Sequence, residues 1–374
     1  MNKLDEIDKL DKALKDADIR LKSIQAAIEG IDKEVSVLAP RKSELEKNLE
    51  FHKKSGTVPL AHEYKKSKAE FTKIKTRLNS ITSDRLKAID ACKQVEEIID
   101  ISIAHSPDSD DAFMFYGLAT NKVRVPGFRF NHTLCDIETL NQKARDEAFY
   151  DVTAISFHAY PYVQHSYMLM GCGGSVGEGY GPMVVSSREM TPEDLKRVKI
   201  AVPGTMTTAY LALKIFNPEL ETAVVPFDKI IPEIQAGNFE AGLIIHEGQL
   251  TYSMSGLRKV LDLGVWWREA TGLVLPLGGN AVRRSLGKET LHTVTKAVRD
   301  SIQHAIDNRE PALEYAMQFA RDLDPRLANR FVSMYVNERT LDYGADGRQA
   351  IRKLLDLGHE RGIIPIAPLV DFVD

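Results

Sequence analysis

Residues 1–99 carry apolar side chains at alternating steps of three and four positions. The stripe runs through residues 7–49, breaks around Gly56 and Pro59, and resumes over residues 64–99. This spacing lines one side of an α-helix with apolar groups that need a partner helix. Because the break is a short turn-forming segment, the partner can come from the same chain. The pattern therefore predicts an antiparallel α-helical coiled-coil hairpin over residues 1–99.

From residue 100 onward, the pattern changes to short β-branched runs separated by helical segments. Strands are predicted to start at Ile101, Val152, Met183, Val198, Thr222, Ala241 and Lys259. Helices are predicted over residues 111–120, 137–148, 207–216, 228–236, 247–255, 288–307, 309–322, 325–336 and 346–361. This alternation is typical of α/β proteins with mainly parallel sheets. In such sheets, ligands bind beyond the carboxyl ends of the strands.

Charge divides the chain at the same place. Residues 1–99 hold 21 Lys and Arg against 18 Asp and Glu, and the remainder holds 28 against 35, so nets of +3 and −7 give −4 in total. This balance gives no electrostatic reason to expect nucleic-acid binding. The chain starts without the apolar core of a signal peptide and has no apolar run long enough to span a membrane. We therefore expect a cytoplasmic protein without a membrane span.

The three cysteines, Cys92, Cys135 and Cys172, lie far apart and form no CxxC pair. Their spacing argues against a disulfide framework and against a zinc site. No other cluster of metal-ligating residues stands out, so no metal is expected.

Three of the predicted strands are followed by polar side chains. Ser106 opens an acidic loop after the first strand, Thr207 and Thr208 lie at a helix start, and His246 follows an apolar run. Free N–H groups and threonine hydroxyls at a helix start suit a carboxylate. An imidazole is the side chain best suited to move protons near pH 7. Each residue also has a structural interpretation, since Ser, Asp and Thr cap helices and a lone His beside a strand is usually structural.

Glycines cluster in residues 171–182, ahead of a predicted strand. They permit either a close backbone approach or a moving crossover. A nucleotide-binding loop is disfavoured there because no helix follows. Further along the chain, Trp266 and Trp267 lie near residues 275–280 and fit either an aromatic pocket or core packing.

Eight longer segments follow one another along residues 100–374. They are "SIAHSPDSDDAFMFYGL", "DIETLN", "DVTAISFHAY", "GEGYGPMVV", "VPGTMTTAYL", "GLIIHEGQLTY", "LGVWWREATGLVLPLGG" and "YVNERTLDYGADGRQAI". Taken in this order, they resemble the 1,4-dihydroxy-6-naphthoate synthase family of the futalosine route to menaquinone. The hairpin lies outside this resemblance.

The resemblance implies an α/β fold with two lobes, like that of type II periplasmic-binding proteins, used here as an enzyme. Lobe one would combine residues 100–185 with residues 278–374. Lobe two would be residues 186–277, with two crossover strands as the hinge. The ligand would lie in the cleft between the lobes.

The family reaction converts cyclic dehypoxanthine futalosine, a small anionic substrate, into 1,4-dihydroxy-6-naphthoate. The resemblance implies no metal and no organic cofactor for this lyase. It makes His246 the proton acceptor. The substrate contacts implied or expected at the strand ends are Ala154, Ile155, Ser156, Thr207, Thr208 and Ser106.

Two departures from the family pattern bear on the site. Many members have a lysine where this chain has Ala154, so backbone contacts are expected there. The opening "SPDSDDAF" also differs from the common "SPCPNDTF" form, which suggests a different branch.

Other functions stay open. Chorismate dehydratase of the same pathway is one, but it is expected to lack the motif of His246. A non-catalytic protein that binds small anions is another, and a scaffold built around the hairpin is a third. The hairpin itself fits a spacer, a homo-oligomerisation arm or a docking site for a protein partner, and it could be a natural extension or a fused module.

Overall fold

The computed structural model describes residues 3–54, 61–93, 98–319 and 324–374. The chain divides into two compact units, residues 1–98 and residues 99–374. The predicted turn around Gly56 and Pro59 lies outside the described residues. No helix among those described is both long and apolar enough to cross a membrane.

The first unit consists of helices α1 (Lys3–Lys54) and α2 (Ala61–Lys93). Three ion pairs join the helices, and their positions rise along one helix while they fall along the other. The pairs are Asp32–Arg85, Glu34–Arg77 and Arg41–Glu70. This order means that the two helices pack antiparallel, as the hairpin prediction required.

The apolar stripe of this unit is only partly covered. Leu45, Ile74 and Ile81 are buried, and most other described stripe residues are half-buried. The side chains of residues 1–21, 24–25, 52–64 and 88–97 lie outside the described part. Coiled-coil geometry therefore stays a prediction, whereas the helical hairpin is consistent with the structure.

Over its described residues, the second unit contains twelve strands. They are β1 (Ile99–His105), β2 (Phe128–Leu134), β3 (Val152–Ser156), β4 (Tyr167–Met170), β5 (Ser175–Gly177), β6 (Met183–Ser186), β7 (Ile200–Val202), β8 (Thr222–Val224), β9 (Ala241–Ile244), β10 (Arg258–Asp262), β11 (Leu275–Arg283) and β12 (Phe372–Val373). One sheet has the order β12-β4-β11-β3-β1-β2, with β5 also paired to β11. The other sheet has the order β10-β6-β9-β7-β8.

Helices cover the faces of both sheets. They are α3 (Ser109–Ala119), α4 (Ile137–Glu147), α5 (Tyr160–Val163), α6 (Thr208–Phe216), α7 (Ile230–Gln235), α8 (Gly248–Thr251), α9 (Leu263–Thr271), α10 (Lys288–Asp307), α11 (Arg309–Ala316), α12 (Pro325–Tyr335), α13 (Glu338–Leu341) and α14 (Gly344–Glu360). Every predicted strand and helix overlaps an observed one.

The expectation of mainly parallel sheets is wrong. Within the described residues, five strand pairings are parallel and five are antiparallel. All the antiparallel pairings involve β6 or β11, the strands by which the chain enters the second sheet and returns to the first. Strand β6 starts at Met183, three residues before the predicted start of lobe two at residue 186. Strand β11 starts at Leu275, three residues before the predicted return to lobe one at residue 278. The lobe limits stay a prediction.

The strand ends explain where a ligand can bind. Strands β1 and β3 are adjacent and parallel in one sheet, and β7 and β9 are adjacent and parallel in the other. All residues of β3 and β9 are buried, so neither strand exposes a face to solvent. Their carboxyl ends deliver the following polar residues to one cleft.

Candidate active site

One cleft brings together every site residue predicted from the sequence. These residues are Ser106, Ala154, Ile155, Ser156, Thr207, Thr208 and His246. The first four follow or end strands of the seven-stranded sheet, and the other three follow strands of the five-stranded sheet. The cleft is thus built by both sheets.

His246 leaves strand β9 with a sharp change of backbone direction. Its φ is +63°, in the left-handed region that non-glycine residues seldom occupy. Such a conformation costs on the order of 1–3 kcal/mol and persists only where the surroundings enforce it. The Nδ1 atom of His246 lies 2.7 Å from Oδ2 of Asp108. The strained turn thereby places the imidazole against a carboxylate in the cleft.

Asp108 is a candidate site residue that the sequence analysis did not single out. It occupies the cap position of α3, but its side chain makes no capping hydrogen bond. Instead, its buried Oδ2 atom contacts His246 and accepts a 2.7 Å hydrogen bond from the Ser106 hydroxyl. Capping therefore does not explain this residue. Ser106 lines the cleft, yet its proton is directed toward Asp108.

Four carboxyl groups surround the imidazole. Burial alone would lower the pKa of His246, but Asp108, Glu247 and Asp110 outweigh this effect and raise its pKa to about 9. Burial raises the pKa of Asp110 well above its ordinary range and the pKa of Asp111 to about 6. Burial and Asp108 also raise the pKa of Glu247. The raised pKa therefore favours the protonated form of His246 at neutral pH.

The two cleft threonines have different hydrogen bonds. The Thr207 hydroxyl donates to the Gly204 carbonyl at 2.9 Å and accepts from the Tyr210 N–H at 3.2 Å, so it caps α6. The Thr208 hydroxyl accepts from the backbone N–H of His158 at 3.2 Å. The predicted helix start is present, and its two threonine hydroxyls are not equivalent.

The end of strand β3 supplies the facing wall. Ser156 donates its backbone N–H to Oδ1 of Asn141 at 2.9 Å, and its hydroxyl accepts from Nδ2 of the same amide at 3.0 Å. Ala154 and Ile155 line the cleft without a charged group of their own.

Gln249 and Tyr335 also line the cleft, and the Tyr335 hydroxyl donates to Oε1 of Gln249 at 2.7 Å. Together with Asp108, Asn141 and His158, they are residues that the sequence analysis did not single out. All five lie inside the eight segments on which the family resemblance rests. Within the described residues, no group of three His, Cys, Asp or Glu side chains could hold a metal ion.

Solved structures define the class to which this fold belongs. The alkanesulfonate-binding protein SsuA of Xanthomonas axonopodis pv. citri is 14% identical, with a TM-score of 0.57 over 74% of this chain and 99% of its own. SsuA of Escherichia coli, a periplasmic aliphatic sulphonate-binding protein, is 12% identical, with a TM-score of 0.51 over 74% of this chain and 94% of its own. The second unit therefore has a periplasmic-binding-protein-like fold, as expected.

Closer relatives define the family. A family model described as menaquinone biosynthesis matches residues 101–360. Curated proteins named 1,4-dihydroxy-6-naphtoate synthase from Streptomyces coelicolor and Thermus thermophilus are 39% and 37% identical, over 71% and 73% of this chain and 95% and 99% of their own lengths. Protein AF1704 of Archaeoglobus fulgidus is 46% identical, with a TM-score of 0.68 over 71% of this chain and 98% of its own. This chain belongs to the menaquinone-biosynthesis family, and the suspected resemblance is confirmed.

Proposed function

We propose that this chain is a lyase that converts cyclic dehypoxanthine futalosine into 1,4-dihydroxy-6-naphthoate. The single structural observation that carries the proposed proton transfer is the 2.7 Å contact between His246 and Asp108 inside the cleft. The names of the two curated relatives support the reaction. Their biosynthetic role also favours a cytoplasmic location.

In this proposal, neutral His246 removes a proton from the carbon next to the substrate ketone. The electron pair left on that carbon forms a carbon–carbon double bond as the bond to the leaving oxygen breaks, which opens the ring, and the imidazolium returns its proton to that oxygen. Release of the sugar-derived fragment then leads to the aromatic product. Asp108 holds the imidazole through Nδ1 and stabilises the imidazolium that forms. The hydroxyls at the ends of the two sheets hold the substrate carboxylate.

A turnover assay tests the reaction directly. Cyclic dehypoxanthine futalosine is added to the purified full chain without metal or cofactor, and 1,4-dihydroxy-6-naphthoate is followed by chromatography and mass. Product formation is the expected result. Binding without product would favour a non-catalytic anion-binding protein, and dehydration of chorismate by the same sample would favour the sister enzyme.

His246→Ala tests the proton transfer. We expect kcat to fall by about 100-fold or more, the range for loss of a general base, while substrate affinity is largely retained. His165→Ala is the matched control because His165 is exposed and does not line the cleft. Equal turnover in both variants would remove His246 from the mechanism.

We further propose that the hairpin joins this chain to a second copy or to a protein partner. Val37 and Leu86 are 71% and 58% exposed on its helices, and much of its stripe is only half-buried. Light scattering on the full chain, at several concentrations, would test self-association. If the chain is a monomer at every concentration, self-association is excluded and only binding to a different protein remains of this proposal.

A further inference from the structure

A second pocket of this chain is lined by three basic side chains. Arg145 comes from α4, Lys214 comes from α6, and Arg361 follows the end of α14. Among the described residues, no acidic side chain lines this pocket, and none of its lining residues also lines the catalytic cleft. Arg145 is paired with its neighbour Asp146 at 2.7 Å. The pocket, called the basic pocket below, therefore has a positive potential that favours an anion.

The other two cations have only neutral hydrogen-bond partners. The Lys214 ammonium donates to the Leu220 carbonyl at 2.6 Å and to the Pro218 carbonyl at 3.2 Å. The Arg361 guanidinium donates to the Ile215 carbonyl. Within the described part of the chain, neither cation forms an ion pair with a carboxylate. Their charges are thus available to a bound oxyanion, with which charged N–H donors form strong hydrogen bonds.

The imidazole of His158 lines the same pocket and has an acceptor atom without a donor. Its side chain is buried, and burial lowers its pKa to about 4, so the ring is neutral. Its Nδ1 atom lies 3.2 Å from the Thr207 carbonyl oxygen, which can only accept, so Nδ1 carries the proton. The Nε2 atom is buried and has no partner among the described residues. An unsatisfied buried acceptor is costly, so this atom favours a ligand that donates a proton.

Two tyrosines beside His158 add hydroxyl groups to the pocket. The Tyr210 ring stacks on the imidazole at 6.2 Å with an interplanar angle of 15°. The Tyr162 ring meets it edge-on, also at 6.2 Å. Both tyrosines line the pocket, and within the described residues neither hydroxyl is hydrogen-bonded to protein. Each can therefore donate its proton to an oxyanion.

We propose that the basic pocket binds hydrogen phosphate, at a site distinct from the catalytic cleft. The charged oxygens of this ion suit Lys214, Arg361 and the two tyrosine hydroxyls. Near neutral pH, the ion also keeps a proton that it can donate to Nε2 of His158. Sulfate has the same shape but carries no such proton, and neither does an ionised carboxylate. The pocket should therefore prefer hydrogen phosphate to sulfate.

The first test is calorimetric titration of the full chain, purified without phosphate, with inorganic phosphate and with sulfate. Both titrations are made near neutral pH and at equal ionic strength. Phosphate should bind saturably at one site. Sulfate should bind about tenfold more weakly or worse, because it cannot satisfy Nε2 of His158. Absence of saturable phosphate binding, or equal affinity for the two ions, would overturn the proposal.

The second test locates the bound ion. Lys214→Gln should weaken phosphate binding about tenfold or more, as expected for loss of a hydrogen bond from a charged group. Lys199→Gln makes the same change of charge and is the matched control, because Lys199 is exposed and lines neither the basic pocket nor the catalytic cleft. Its affinity for phosphate should equal that of the wild-type chain. Equal affinity in the two variants would place the ion elsewhere, for example in the catalytic cleft, and would contradict the proposal.

The third test concerns the choice between the two ions. In His158→Asn, the side-chain amide keeps a donor near the position of Nδ1, facing Thr207, and has no acceptor at the position of Nε2. The ratio of phosphate affinity to sulfate affinity should fall to near unity, while thermal unfolding checks that the variant is folded. A ratio that stays at the wild-type value would show that His158 does not receive the ion's proton. All three tests measure binding, so they are independent of whether the chain makes the proposed product.

Discussion

At the scale of single residues, His246 is defined by its backbone as much as by its ring. Its left-handed conformation ends β9 and turns the imidazole toward Asp108. The sequence predicts this histidine, because an apolar run delivers it to a strand end. It does not predict the conformation, because a strained φ depends on the packing around the turn.

The charge on His246 makes activity dependent on pH. A general base must be neutral, so kcat/KM should rise with pH until the imidazole, with its pKa raised to about 9, has lost its proton. Asp108→Asn removes the main attraction to the imidazolium. We therefore expect the rising limb to move to lower pH in this variant, together with a lower maximal rate. The measurement is kcat/KM between pH 6 and pH 10, in roughly half-unit steps.

Asp371→Asn is a suitable control, because this carboxylate pairs with Arg284 outside the cleft. Its profile should coincide with that of the wild-type chain. If the rise of kcat/KM with pH occurs at the same pH in Asp108→Asn as in the wild-type chain, a group other than His246 titrates.

At the scale of elements, the glycine-rich segment 171–182 acts through close approach. A Cβ atom at Gly177 would lie 2.0 Å from the Tyr180 carbonyl oxygen, and one at Gly264 would lie 2.1 Å from the same carbonyl group. The turn after β5 and the start of α9 thus touch through backbone alone. Of the two interpretations open from sequence, this structure displays the close approach.

Gly264→Ala should therefore be strongly destabilising, because backbone atoms on both sides would have to move. We expect a drop in melting temperature of several degrees, as for a loss of about 2 kcal/mol or more. Gly248→Ala is the control in the same unit, since its Cβ would meet only the end of the Ile231 side chain, at 3.3 Å. Thermal unfolding followed by circular dichroism compares the two, and similar midpoints would refute the packing argument.

Strands differ in how well they can be predicted from the local sequence. Strands β3 and β9 are buried along their whole length, and their prediction is confirmed. Strand β11 contains Pro276, Gly278 and Gly279, which usually mark loops, so local pattern hides it. Its place between β3 and β4 is decided by pairing with distant segments.

At the scale of the whole molecule, the same limit applies to the site. Ser106, Thr207 and His246 are predictable because each follows a strand. Asp108 is not, since its contact with His246 spans 138 positions in the chain and requires two sheets to face each other. Capping was the simpler local explanation for a Ser/Asp loop. In the structure, the Asp108 side chain instead contacts His246 on the other sheet.

The division into two compact units predicts that the hairpin is not needed for chemistry. The relatives match 71–73% of this chain while 95–99% of their own lengths is covered. Removal of residues 1–98 should leave kcat/KM within about twofold in the assay described above, because the active-site residues all belong to the second unit. A large loss of activity in a folded truncated chain would show that the hairpin shapes the cleft.

The contact between His246 and Asp108 joins two separate sheets, which ties proton affinity to distance. A wider cleft would let water between the charges and weaken their attraction steeply. The imidazole would then return toward the basicity of an ordinary histidine in water. The basicity of His246 therefore depends on the separation of the two sheets. Only a substrate that fits the cleft and keeps this separation small would meet the imidazole at its highest basicity.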